Sequence, residues 1–477
     1  MKNMQPVIFK SVEIIDAGSE GMAVGKINDQ IIFVPFVVPG DVVDVQLTRK
    51  KKRYLEGKAI FLHTASSKRI EPHCTHFGLC GGCRWQNMKY EDQLFYKQKQ
   101  VFDSFTRIGK LEDPTILPIL ASPKTRYYRN KLDFTFSNHR WLTDDDRIRE
   151  SGTINTDALG FHIPQFFDKV VDIQECFHQK DPSNAIRTEM RKFAVEHQLS
   201  FYDVRTWQGF LRNLIIRNTE AGGFMVIMVF RHEDDIIPAM LDHLAARFPE
   251  ITSLFYVINP KQNDTIYDLG FNLFRGDPYI TETMPSFRPG GKEIEFRIGP
   301  ASFFQTNSFQ AVNLYRTAAE FAGFTGDEQV YDLYTGTGTI ANYIAPYVQR
   351  VIGIESVEAA IADAKVNARI NGIQNTFFFA GEAEKMLTPA FFESNGRPDI
   401  IITDPPRNGM HEKVVNAILD AKPSKVVYVS CNPATQARDL ALMNEHYLME
   451  KCQPIDMFPH TQHVENVALL RLREGIC

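Results

Sequence analysis

Cys431 stands where an apolar run stops. In KVVYVSCNPAT (425–435), Val426 to Val429 read as a buried strand, and an Asn-Pro pair follows the thiol. A strand cannot continue through that pair, because proline has no N–H to give to a ladder. Such an edge is where open α/β sheets place their ligands, and a thiol there is a candidate nucleophile once ionised. An inert buried thiol is the plain alternative, and the flanking Asn432 and Pro433 speak against it. DIIITDPPRNG ends in a similar way, with Asp404 at the end of a buried run and two prolines making its lip rigid. VYDLYTGTGTIA places Gly336 and Gly338 directly after a third run, with Ala341 at the last small position of G-x-G-x-x-[GA]. Glu355 ends the next run, VIGIE. Glycines let a backbone approach a ligand, and a carboxylate on the second strand can bind both ribose hydroxyls. A tight strand-to-helix turn alone would also use those glycines.

A second set of reactive residues lies far upstream. CTHFGLCGGC gives C-x5-C-x2-C at Cys74, Cys80 and Cys83, with Gly81 and Gly82 allowing a tight turn. A fourth ligand must come from elsewhere, and Cys176 in QECFHQ is the only other central cysteine. Four thiolates suit zinc or a [4Fe–4S] cluster, and spacing does not choose between them. His73, His76 and His178 read as bystanders. RYYRNK interleaves Arg126, Arg129 and Lys131 with Tyr127 and Tyr128. Cations beside rings suit single-stranded RNA; tyrosines packed into a core are the competing reading.

Elements must hold these residues, and 477 residues exceed one ordinary core. Residues 1–65 alternate apolar and polar positions between GSEG, NDQ and PGD turns, which predicts a five-stranded barrel of the oligonucleotide-binding kind. The run RKKKR (49–53) then falls at a hairpin tip between the fourth and fifth strands. Residues 66–290 predict a central α+β domain, with a helix over YEDQLFYKQKQVFDSFTRIG and a hairpin over LRNLIIRNTEAGGFMVIMVF. From 291 to 477 strands and helices alternate regularly, the pattern of a Rossmann-like parallel sheet covered on both faces. The last run, NVALLRLRE, is expected at the far side of that sheet.

The net charge of -5 hides an asymmetry. Between Val45 and Arg140 there are 19 lysines and arginines against eight acids, which points to a polyanionic partner. Seven cysteines, an odd number unevenly spread, argue for a reducing compartment. With no secretion signal and no apolar run long enough for a bilayer, a cytoplasmic protein without membrane contact is expected.

SCNP with Cys431, DPPRNG with Asp404, FFQTN with Gln305 and HVENVALL with Glu465 together resemble the RNA uracil-5-methyltransferases. The resemblance runs over essentially the whole chain. The barrel resembles the RNA-binding TRAM module, and the cysteine cluster resembles the iron–sulfur-containing branch, the 23S rRNA (uracil-5-)-methyltransferases. Thr335 departs from a cysteine common in the glycine motif, and Asn466 from a common Thr or Cys. The resemblance implies an S-adenosylmethionine-dependent enzyme in which Cys431 adds to uracil C6 and Glu465 removes the C5 proton. Read without it, Glu465 is a surface acid at a strand start. It further implies a donor site of Gln305, Tyr334, Gly336, Gly338, Glu355 and Asp404, and [4Fe–4S] rather than zinc on Cys74, Cys80, Cys83 and Cys176. The cluster's expected role is structural or RNA-positioning. The implied partner is RNA, 23S ribosomal RNA first, bound by a monomer. Transfer RNA enzymes typically lack both barrel and cysteine cluster, so the T-loop uridine of transfer RNA is the alternative, with another or a second 23S uridine also open.

Overall fold

The computed structural model describes residues 6–143 and 155–475. Five strands, β1 (Ile8–Ala17), β2 (Ala23–Ile27), β3 (Gln30–Val34), β4 (Val42–Lys50) and β5 (Tyr54–Thr64), close a barrel in the order β1-β2-β3-β5-β4. Alternation explains it: Val12, Ile14, Ile32, Val34, Val43 and Val45 all point inward and are buried together. Arg49 and Lys50 end β4 and the cationic run turns into β5, so the hairpin tip carries the charge as expected.

The central sheet has seven strands: β6 (Lys131–Ser137), β7 (Ala158–His162), β8 (Val170–Asp172), β9 (Leu211–Asn218), β10 (Phe224–Phe230), β11 (Ile251–Ile258) and β12 (Asn272–Gly276), in the order β12-β11-β10-β9-β6-β7-β8. Strands β9 and β10 form the expected antiparallel hairpin. They are buried at every position, which a sheet covered on both faces requires. Phe224, Val226, Met228 and Phe230 of β10 join one core with the helices Ser183–Glu196 and Ile236–Arg247. Met225, Ile227 and Val229 face the other way, into a core shared with the C-terminal sheet.

A hairpin of β13 (Ile280–Met284) and β14 (Ile294–Ile298) straddles residue 291, where the pattern change begins. The C-terminal sheet adds β15 (Gln329–Leu333), β16 (Arg350–Glu355), β17 (Thr376–Ala380), β18 (Ile400–Thr403), β19 (Lys425–Ser430), β20 (Tyr447–Ile455) and β21 (Glu465–Leu472), ordered β17-β16-β15-β18-β19-β21-β20. The first five are mutually parallel; β21 runs antiparallel to β19 and β20. The last run of the sequence is therefore inside the sheet, not at its far side. The edge strand is β20, which mixed polarity and Pro454 conceal in the sequence.

The helix Tyr90–Arg107 precedes the central sheet in the chain yet packs Val101 and Phe105 onto the C-terminal one. Lys97 from this helix meets Asp456 at 2.5 Å with both side chains fully buried, and also donates to Phe458 O at 2.9 Å. Tyr90 Oη donates to the other Asp456 oxygen at 2.7 Å. Lys97→Met leaves that carboxylate buried without its cation and is expected to cost about 3–5 kcal/mol in chemical denaturation.

Candidate active site

Strand register brings the separated motifs to one edge. Leu333 of β15 pairs with Thr403 of β18, and Thr403 with Tyr428 of β19, so Tyr334 and Asp404 leave the sheet side by side. Ser430 pairs with Asn466, and because β21 is antiparallel its first residue, Glu465, lies where β19 ends and Cys431 begins the loop. Glu465 is 4% exposed, so the surface-acid reading is wrong. The polar sequence before it, HTQH, suggests exposure; an antiparallel insertion between two strands buries it.

The two glycines of the turn do different work. Gly336 has φ +56° and a Cβ there would meet no protein atom, which leaves the space above it clear for a ligand. At Gly338, φ +73°, a Cβ would lie 2.8 Å from the Ala364 Cβ, so this glycine lets the helix at 358–370 approach. Gly336 N–H donates to Glu355 Oε2 at 3.2 Å, while Glu355 Oε1 accepts from Ser356 Oγ and the Val357 N–H, both at 3.0 Å. The carboxylate is thus held against the turn. Tyr334, at φ +63°, begins it. Gln305 lies buried in the stretch that leads to the helix Ser308–Ala322, where Asn307 is the cap.

Asp332 is a residue that sequence reasoning missed, although it is the one acid inside the β15 run that leads to the glycines. Its Oδ2 accepts from Thr335 Oγ and from the Ala341 N–H, and its Oδ1 is buried without a partner. Burial pushes its pKa up to about 7. Asp404 is also pushed up to about 7, by burial and then by Asp332.

Cys431 is half-buried and directly precedes Asn432, the cap of the helix Pro433–Met443. Asn432 Oδ1 accepts from the Ala434 N–H at 3.1 Å and Nδ2 donates to Arg407 O at 3.1 Å, tying the thiol's loop to the DPPRNG loop. Pro433 suits the first helical turn, where its missing N–H costs nothing. The helix amino end favours a thiolate at this point. In the resting protein, however, burial and then the Glu465 and Asp404 carboxylates push the thiol up to about 12. Glu465 is pushed up to about 8 by burial and then by Asp404. Arg407 opposes both shifts and is a second residue the sequence reading did not single out. A third is Phe303, 63% exposed, whose carbonyl accepts from Thr337 Oγ1 at 3.1 Å and so sets a free ring beside the glycine turn.

Cys74, Cys80, Cys83 and Cys176 all line one cavity of about 570 Å³, with His73, His76, His178, His460, Arg129 and Lys131 also on its walls. Cys80 Sγ accepts from the Gly82 N–H at 3.4 Å and Cys83 Sγ from Gln86 Nε2 at 3.2 Å. Among the described residues, no group of three or more His, Cys, Asp or Glu could hold a single metal ion. Cys452 is separate and buried, and Cys477 lies outside the described residues. In the RYYRNK segment Arg126 is exposed and Arg129 and Lys131 half-buried. Tyr127 is exposed too, but Tyr128 is 1% exposed and donates to Pro459 O at 3.1 Å; for it the core reading holds.

Residues 273–473 match the family model of the tRNA (uracil-5-)-methyltransferases, and residues 9–60 match the TRAM domain. An uncharacterized RNA methyltransferase of Bacteroides thetaiotaomicron is 55% identical over 95% of the chain and all of its own length. One from Chlorobaculum tepidum is 38% identical over 97% of the chain and 96% of its own length. The crystal structure of Pyrococcus abyssi tRNA (uracil-54, C5)-methyltransferase with S-adenosyl-L-homocysteine matches 96% of this chain and all of that one, at 29% identity and a TM-score of 0.72. A transfer RNA enzyme therefore shares nearly the full architecture, and a barrel does not by itself separate ribosomal from transfer RNA substrates. No helix among the described residues is long and apolar enough to cross a membrane.

Proposed function

Because the chain belongs to the RNA uracil-5-methyltransferase family, we propose that it methylates C5 of a uridine in 23S ribosomal RNA through a transient bond between Cys431 and uracil C6. It is an S-adenosylmethionine-dependent RNA methyltransferase with a TRAM domain. The observation that carries the mechanism is the meeting of one thiol and two carboxylates, Cys431, Glu465 and Asp404, at a single sheet edge.

Uracil C5 is a poor nucleophile until sulfur adds at C6. The half-buried Cys431 S–H gives its proton to solvent water, sulfur bonds to C6, and the C5=C6 electrons move onto C5 and O4. C5 then takes the methyl group, and the donor's sulfur leaves with the bonding pair as a neutral thioether. Glu465 accepts the C5 proton; the released electrons re-form C5=C6 and expel the thiolate. The donor's sulfonium is a cation. Held beside Asp404 it favours that carboxylate's charged form and draws the thiol and Glu465 downward from their resting values. Gln305, Tyr334, Gly336, Gly338 and Glu355 form the rest of the donor site in this reading. The target base must leave its stack to reach the edge, and the free ring of Phe303 gives it a surface. Arg126, Arg129 and Lys131 supply phosphate contacts in this reading.

In this reading the four cysteines hold a [4Fe–4S] cluster rather than zinc. The likeness to the iron–sulfur branch of the family is what favours a cluster, and one cavity lined by all four thiols, with N–H donors to two of the sulfurs, supports that reading. Bound there, a cluster would cross-link Cys74, Cys80 and Cys83 to Cys176; no catalytic step uses it. The cysteine cavity is what favours ribosomal RNA, and a cytoplasmic monomer completes the reading. The second reading, a transfer RNA uridine, is favoured by the Pyrococcus abyssi likeness.

Labelled donor with unmodified 23S ribosomal RNA and transfer RNA separates them. Label in 5-methyluridine of the ribosomal RNA is the expected result. Label in transfer RNA alone moves the assignment to the second reading, and label in neither overturns both.

A further inference from the structure

Gln305 sits in a stretch with no regular structure, so something else must hold its backbone. The holder is the RYYRNK segment. Tyr127 N–H donates to Phe177 O at 2.7 Å and Arg129 N–H to His178 O at 2.8 Å, pairing the segment with the stretch that carries Cys176. On its other side Arg129 bridges Asn307, and Asn130 N–H donates to Thr306 O at 2.8 Å. The Asn130 side chain then donates from Nδ2 to Gln305 O at 2.9 Å and to Ser308 Oγ at 3.0 Å. Ser308 Oγ in turn donates to the buried Glu282 Oε2 at 2.6 Å. Asn130 is 7% exposed, and its carbonyl accepts from the Asn218 N–H at 2.9 Å.

We propose that Asn130 is a positioning residue for the methyl donor, fixing the Gln305–Ser308 turn so that the Gln305 side chain faces the donor site. This rests on the reading of Gln305 as a donor ligand. The chemistry selects asparagine. Two acceptors, a carbonyl and a hydroxyl already donating elsewhere, need two N–H groups from one short side chain. Aspartate has the shape and neither donor; alanine has neither shape nor donors.

The test measures donor affinity by calorimetry with S-adenosylhomocysteine, donor KM and kcat, RNA affinity and melting temperature. The variants are Asn130→Ala, the isosteric Asn130→Asp, Gln305→Ala and the double variant Asn130→Ala/Gln305→Ala. Loss of the two hydrogen bonds is expected to weaken donor binding on the order of tenfold and raise donor KM likewise. The kcat at saturating donor and the RNA affinity should stay within about twofold, the split that lost uniform binding gives. A residue that merely supports the fold would lower the melting temperature without that split. The double variant should be no worse than Gln305→Ala, since both act through one group. If Asn130→Ala does not fold, Asn130→Asp decides alone. Unchanged donor affinity in folded Asn130 variants, beside a weakened Gln305→Ala, overturns this inference and leaves the donor-site reading intact. Unchanged affinity in Gln305→Ala overturns both.

Discussion

Cys431→Ala is expected to lower methyl transfer into RNA on the order of 10⁴-fold or more, with S-adenosylhomocysteine affinity and melting temperature close to those of the unaltered protein. The loss is large because the reaction has no other route to a nucleophilic C5: without sulfur at C6 the ring offers the sulfonium methyl almost nothing. It is not rescued by a neighbour. Cys452 is wholly buried in β20, and the other four described cysteines line the separate cavity. The fold should survive because Cys431 is only half-buried and the cap that follows it, Asn432, is untouched. RNA carrying 5-fluorouridine sharpens the measurement. Fluorine at C5 cannot be taken off as a proton is, so the sulfur–C6 bond persists, and mass spectrometry should place the crosslink on Cys431. Near-normal turnover in Cys431→Ala, or a crosslink on another side chain, removes the nucleophile from this account.

What the sequence made legible follows from how local each signal is. The barrel, the β9–β10 hairpin and the parallel strands were all readable, because alternation and buried runs are properties of short windows. Cys431, Asp404 and the glycine turn were readable for the same reason, each lying where a run of apolar residues breaks. Glu465 was not readable from local pattern. Its burial comes from β21 inserting between β19 and β20, a pairing decided by residues far away, and only the likeness of HVENVALL to a family motif pointed to it. Arg407 looked like part of a loop and Asn130 like part of a basic patch. Their roles depend on which segments lie across from them, Arg407 against the Cys431 loop and Asn130 against Gln305. The four cysteines show the same limit from the other side. Spacing grouped three of them, and the fold brings Cys176 to the same cavity through the strand-like pairing at 127–129.

Glu465→Gln is expected to stop turnover at its last stage, not its first. Glutamine can still fill the site, and Cys431 can still add to C6 and C5 still take the methyl, but nothing then removes the C5 proton. The methylated RNA should stay bonded to the protein and accumulate as a denaturant-resistant band, with multiple turnover lowered by about 10²–10⁴-fold. The pH dependence identifies the group. With its pKa pushed up to about 8 in the free protein, Glu465 is largely neutral at lower pH, so kcat, which includes removal of the C5 proton, should fall as pH drops, with its inflection at or below about 8. That inflection should be absent from the rate of adduct formation by Glu465→Gln. Stability gives an independent reading with a definite sign. A carboxyl whose folded pKa is raised from 4.5 to about 8 contributes its full stability below pH 4.5 and loses it as pH rises through 8, because the unfolded chain ionises first. Glutamine does not ionise, so Glu465→Gln should melt higher than the parent at pH 8 and at nearly the same temperature at pH 4. Should the variant turn over normally, with no adduct and the same pH profile, the base lies elsewhere. A raised melting temperature with no trapped RNA would mean that Glu465 is buried for packing alone.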